Sequence, residues 1–172
     1  EVENDDFNRL VVAARMPAAE IVVLRAYAKY LRQIGFALSQ SFIEATLAAN
    51  AGIAADLVAL FKARFDPEVP GGGDGEAVAR RRAVETALEA VENLSEDRVL
   101  RQRLALILAT TRTNFWRRDA EGRPRSFLSF KFDPAKSEPA TEEAFNAVRK
   151  EHYARLANAS LPGAAWFRHR SG

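Results

Sequence analysis

The sequence predicts a mainly α protein, a multi-helix bundle carrying one β-hairpin at about 113–132. Three observations predict it. Apolar residues recur at helical spacing along almost the whole chain, capping residues and Gly/Pro breakers divide that pattern, and one short run alternates with period two.

Asp5 or Asp6 is placed to cap a short helix carrying Phe7, Leu10, Val11 and Ala14. Pro17 suits the first turn of a second helix, where its missing N–H would lack an intrahelical partner anyway. On that helix Val23, Tyr27, Tyr30 and Ile34 form one stripe and Leu24, Ala28, Leu31 and Gly35 the adjoining one. Together they exceed the ~100° arc of a surface helix, so this element is central and covered on two sides. Arg25, Lys29 and Arg32 fall at i, i+4, i+7 and share one narrow polar edge.

Gly35 ends or thins the second helix. Ser41-x-x-Glu44 reads as a capping box opening a segment with Phe42, Ile43, Thr46 and Leu47. After Asn50 and Gly52, the residues Ile53, Leu57, Leu60, Phe61 and Phe65 repeat at helical spacing up to Asp66-Pro67. "DPEVPGGGDGE" (Asp66 to Glu76) then breaks the pattern with two prolines and four glycines. Beyond it, Val84, Leu88 and Val91 give a thin apolar stripe among Arg81, Arg82, Glu85, Glu89 and Glu92, as on a largely solvated helix. Ser95 is the expected cap of the next helix, with Glu96 and Asp97 in its first turn and Leu100, Leu104, Ile107, Leu108 and Thr111 on its buried face.

"SFLSFKF" (Ser126 to Phe132) alternates, with Leu128, Phe130 and Phe132 on one side. Glu121-Gly122-Arg123-Pro124 reads as a turn, and "TNFWRR" (Thr113 to Arg118) as the partner strand. A helical pattern returns from Thr141 to about Asn158 with Phe145, Val148, His152 and Leu156 on one side, and the tail from Ser160 reads as loose.

Composition excludes several classes. Twenty-five Lys+Arg against 23 Asp+Glu is a near balance, without the one-sided charge of a nucleic-acid footprint. The absence of cysteine removes disulfides, thiol nucleophiles and thiolate metal sites. No apolar run reaches the ~18 residues that a membrane helix needs. The chain opens on Glu1, without methionine, and is expected to be an excerpt of something longer.

No catalytic, cofactor-binding or metal-ligating constellation is present. "PGGGDGE" lacks GxGxxG spacing and follows no strand, and there is no GxxxxGK[ST]. His152 and His169 stand 17 residues apart with no metal-ligand spacing. Ser39 and Ser41 sit where caps belong and have no positioned base. Arg25, Lys29 and Arg32 are the candidates for an anion or interdomain contact, with a solvated or interdomain edge the favoured reading.

From Glu96 to Lys131 there are nine cations and four acids. Trp116, Arg117, Arg118, Arg123 and Arg125 are the candidates for touching single-stranded nucleic acid or a protein partner, through stacking and phosphate contacts. The competing account puts the rings in the core and pairs the arginines with another domain's carboxylates. It is preferred, because alternation spends half of the rings on burial.

Two stretches carry a family resemblance. "VVLRAYAKYLRQIGFALSQSFIEATLAANAGIAADLVALFKARFDP" (Val22 to Pro67) and "LSEDRVLRQRLALILATTRTNFWRRDAEGRPRSFLSFKFDP" (Leu94 to Pro134) resemble, in this order, the large NAD-specific glutamate dehydrogenases of bacteria. The resemblance covers about Asp6 to Pro134. It implies a very long cytoplasmic homo-oligomeric parent that oxidises L-glutamate to 2-oxoglutarate and ammonium with NAD. It also implies that this stretch is the helical part just ahead of the catalytic domains. The family's catalytic lysine and nucleotide site lie downstream, so no site residue carries over and no cofactor is bound by this segment. The expected partners are the catalytic and regulatory domains of the same enzyme, with no membrane and no nucleic acid. The organisation that follows is a helical subdomain at 6–66, a flexible Gly/Pro loop at 67–75, a helical pair plus hairpin at 76–134, and a helical tail at 135–172 that departs from the family.

Overall fold

A computed structural model describes residues 5–69, 74–133 and, as backbone, 166–170. A 3-10 turn, Asp6–Asn8, leads into α1 (Arg9–Ala13), α2 (Ala18–Gln33), α3 (Gln40–Ala49), α4 (Ala51–Phe65), α5 (Asp74–Leu88) and α6 (Leu94–Ala109). The strands are β1 (Thr110–Thr113), β2 (Phe127–Phe132) and β3 (Trp166–Arg170). The fold is mainly α with a hairpin, as the periodicity predicts.

The second helix is the central rod. Ile21, Val23, Leu24, Ala26, Tyr27, Ala28, Tyr30 and Leu31 are all buried, against α1, α3, α4 and α6. Sealing a leucine such as Leu24 or Leu31 contributes about 1.5–3 kcal/mol. Gly35 stops this helix: at φ +77° it lets Phe36 N–H reach Leu31 O at 2.9 Å and Gly35 N–H reach Arg32 O at 3.2 Å. Those are the paired bonds of a Schellman close, which needs a residue tolerating positive φ.

Asn50 separates α3 from α4, whose axes bend by 95°. Among the described residues no single helix is long and apolar enough to cross a membrane. Leu57, Leu60 and Phe61 of α4 are sealed in the core. Val84 and Leu88 are the two buried residues of the thin α5 stripe.

Several boundaries move. Ser39, not Ser41, caps α3, its Oγ accepting from Phe42 N–H at 3.2 Å. Asn93, not Ser95, caps α6, its Oδ1 accepting from Ser95 and Glu96 N–H at 2.9 and 3.2 Å. The carboxylate of Asp5 caps nothing, being taken by Arg25. The loop expected at 67–75 ends early, because α5 opens at Asp74.

The hairpin is displaced too. β1 is Thr110–Thr113 instead of Thr113–Arg118, and pairs antiparallel with β2 through Thr110↔Phe132, Arg112↔Lys131 and Thr113↔Phe130. Thr111, expected on the buried face of α6, is an exposed strand residue. Leu128, Phe130 and Phe132 are buried as the alternation predicts. The other edge of β2 carries β3, paired through Leu128↔His169 and Phe130↔Phe167, so the stretch from Ser160 contains a strand where a loose tail was expected. The helix expected at 141–158, with His152, lies outside the described residues.

Candidate functional site

The most elaborate polar and aromatic construction joins the helices to the sheet. Tyr27 of α2 lies flat on Phe130 of β2, ring centroids 4.4 Å apart and planes at 9°. Its hydroxyl is 2.8 Å from Thr110 Oγ1, which itself donates to Leu106 O at 2.7 Å. Thr110 has one hydroxyl proton and spends it on Leu106, so Tyr27 is the donor. Burial pushes the Tyr27 hydroxyl well above the usual phenol range, which keeps it protonated and donating.

One turn on, Tyr30 stacks on Phe132 at 4.6 Å. Phe61 of α4 meets Tyr27 and Phe130 edge-on at 6.4 and 6.1 Å. Arg64 donates to Ile107 O and to Thr110 O, the latter at 3.2 Å, satisfying carbonyls at the end of α6. Asp133 N–H closes the far end of β2 onto Ala109 O at 2.7 Å.

Asn114 explains why β1 stops where it does. Its N–H donates to Ser129 O at 3.3 Å, its Oδ1 accepts from Ser129 N–H at 2.6 Å, and its Nδ2 donates to Phe127 O at 2.9 Å. A side-chain amide thus replaces the next ladder rung. The chain is then free to turn Phe115 and Trp116 inward, onto Phe61 at 5.6 and 5.5 Å.

The candidates of the α2 edge do not form one solvated strip. Arg25 is only 4% exposed, and Asp5 holds it in a two-pronged pair, Nε to Oδ2 at 2.6 Å and Nη2 to Oδ1 at 2.7 Å. Phe7 packs on the guanidinium, 5.6 Å from its centroid. Lys29 is half-buried, while Arg32 is exposed and donates to Gln40 Oε1 at 2.5 Å.

The loop candidates separate as well. Trp116 is held by Phe61, and Arg123 by Asp119 and Glu121 at 3.0 and 2.9 Å. Arg117, Arg118 and Arg125 remain exposed. The stacking ring of the nucleic-acid reading is therefore spent on the core. His169 falls on β3.

Among the described residues no three His, Cys, Asp or Glu side chains gather as a metal site. A cavity of about 580 Å³ between α4, α5 and α6 has a floor including Leu60, Leu104 and Leu108. Its rim charges are engaged: Arg81 with Glu85 at 2.7 Å, and Arg101 with Asp97 at 2.8 Å. It offers neither nucleophile nor positioned base.

Sequence reasoning missed Asp5, Arg64, Arg103 and Asn114. Asp5 stands twenty residues from Arg25, too far for any local spacing rule to connect them. Arg103 is fully buried on α6, and its Nε, Nη1 and Nη2 have no hydrogen-bond partner. Burial pulls its pKa down to about 9, which still leaves it charged at neutral pH.

Comparison with known proteins matches the chain in two parts, one on either side of residues 68–82. Residues 2–67 match the family described as glutamate dehydrogenase, helical motif 3. Residues 83–145 match the one described as bacterial NAD-glutamate dehydrogenase, catalytic domain, and so run past Pro134. The NAD-specific glutamate dehydrogenase of Halomonas elongata is 46% identical over 136 residues, 78% of this chain and 8% of the relative. Those of Pseudomonas aeruginosa and Mycobacterium tuberculosis are 42% and 43% identical over 137 and 135 residues, covering 78% and 77% of this chain and again 8% of each relative. The chain spans about 8% of the length of these curated relatives.

Proposed function

Since the chain belongs to the bacterial NAD-specific glutamate dehydrogenase family, we propose that it is a non-catalytic support which fastens the helical motif to the opening of the catalytic domain. The parent would convert L-glutamate and NAD to 2-oxoglutarate and ammonium at a site outside these residues, in the remainder of the catalytic domain that residues 83–145 open. One observation carries the reading: Tyr27, in the helical-motif match, is bonded to Thr110 and stacked on Phe130, both in the catalytic-domain match. A joint so dry and so fully hydrogen-bonded transmits position. Any effect on rate passes through the placement of the catalytic domain.

NAD is then a cofactor of the parent, and the partners of this segment are the parent's own catalytic and regulatory domains within a cytoplasmic homo-oligomer. The exposed Arg32, Arg117, Arg118 and Arg125 are among the side chains available for such interdomain contacts.

The test uses the parent enzyme and the isolated chain together. Tyr27→Phe in the parent should lower kcat several-fold, with KM for glutamate and NAD unchanged. The isolated 172-residue chain should form no NADH from glutamate. NADH formation by the isolated chain, or a KM effect without a kcat effect, overturns the proposal.

A further inference from the structure

Arg103 sits at the middle of the buried face of α6. Val99 and Leu100 lie one turn before it and Leu106 and Ile107 one turn after, all 0–1% exposed. The helix packs against α2, α3, α4 and α5, and the guanidinium is sealed within that packing. Its own exposure is 0%, and none of its three nitrogens has an acceptor. A second orphan, Thr46 Oγ1, is buried on α3, which packs on α6.

A guanidinium carries five N–H donors and this one is charged at neutral pH, so sealing it without an acceptor or counter-ion opposes the closed packing. α4 differs: it sets the apolar Leu57, Leu60 and Phe61, all 0% exposed, against the same interior. We propose that α6 is a built-in weak joint, in which local separation of α6 from the helices packed on it lets Arg103 reach water while α4 stays folded. Opening of this kind occurs below the global unfolding free energy, in the segment with the least favourable local packing. Its consequence for the parent rests on the support role proposed above: α6 precedes the hairpin, so the joint would let the catalytic domain shift relative to the helical motif.

Native-state hydrogen exchange on the full 172-residue chain tests the joint without any assay of activity. Amides from Val99 to Ile107 should exchange at least tenfold faster than those from Leu57 to Phe61, with little dependence on low urea. In Arg103→Met the α6 amides should slow at least tenfold and acquire the urea dependence of α4. Equal rates and equal urea dependence of the two helices in the unsubstituted chain overturn the proposal, whether or not the variant folds. So does Arg103→Met folding with α6 exchange unchanged.

Discussion

Tyr27 and Phe130 lie face to face at 4.4 Å although 103 positions separate them in the chain, and the hydroxyl of the same tyrosine donates to Thr110 at 2.8 Å. The ring contact and the hydroxyl bond tie the central helix to both strands of the hairpin at once. Tyr27→Phe removes only the bond, at about 1 kcal/mol. Phe130→Ala opens a ring-sized cavity, at about 3–5 kcal/mol. Urea unfolding of the two variants should rank them in that order, and equal midpoints would contradict the assignment of the bond and the stack.

The Asp5–Arg25 pair predicts a larger effect than its place near the chain start suggests. Removing the acid takes the two-pronged carboxylate away from a guanidinium that is 4% exposed. Asp5→Ala should cost about 3 kcal/mol, whereas an exposed pair such as Arg81–Glu85 should cost below about 1 kcal/mol when broken. Thermal unfolding of Asp5→Ala beside Glu85→Ala measures the difference directly. Similar losses would mean that the pair is wetter than its burial implies.

Asn114 holds the hairpin mouth with two side-chain bonds to β2. Asn114→Ala should therefore lower stability by about 2 kcal/mol and expose the Phe115–Trp116 turn. Trp116 fluorescence should shift to the red before global unfolding. An unshifted spectrum would separate the turn from the amide that precedes it.

These residues also mark how far the sequence was legible. The period-3.6 stripe of α2 and the alternation of β2 are strong because nearly every inward position is apolar, and both are seen. On α6 the inward centre is an arginine. The predicted face has Leu100, Leu104 and Ile107 right, but it takes in Leu108 and Thr111, which are half-buried and exposed, and leaves out Val99, Leu106 and Thr110, which are buried. β1 was placed late because Phe115 and Trp116 have strand character; only the tertiary position of Phe61 sends them into a turn. Caps slipped by two residues at Ser39 and Asn93, since neighbouring Ser and Asn residues are chemically equivalent until the backbone chooses one. For the candidate site, the family was legible in the runs Val22 to Pro67 and Leu94 to Pro134, while long-range pairings such as Asp5–Arg25 have no local signal.

Alkaline pH offers the last test. Burial raises the pKa of both Tyr27 and Tyr30 above the unfolded value of 10.0. Above pH 10 the unfolded chain releases these protons and the folded chain keeps them. The folded state then binds more protons, and stability falls as pH rises through that window. Below pH 10 both states are protonated, and the two tyrosines add no pH dependence. Arg103 works in the opposite sense: its folded pKa of about 9 lies well below that of a solvated guanidinium, so its contribution improves as pH climbs above 9. Arg103→Met removes that second effect and should steepen the alkaline loss. Stability measured from pH 8 to 11 in the unsubstituted chain and in Arg103→Met, with tyrosinate absorbance followed in parallel, checks both signs. Tyr27 and Tyr30 should ionise only as the fold is lost. Tyrosinate absorbance rising to completion near pH 10 in a chain that is still folded would place both rings in water and remove the joint on which the support role depends.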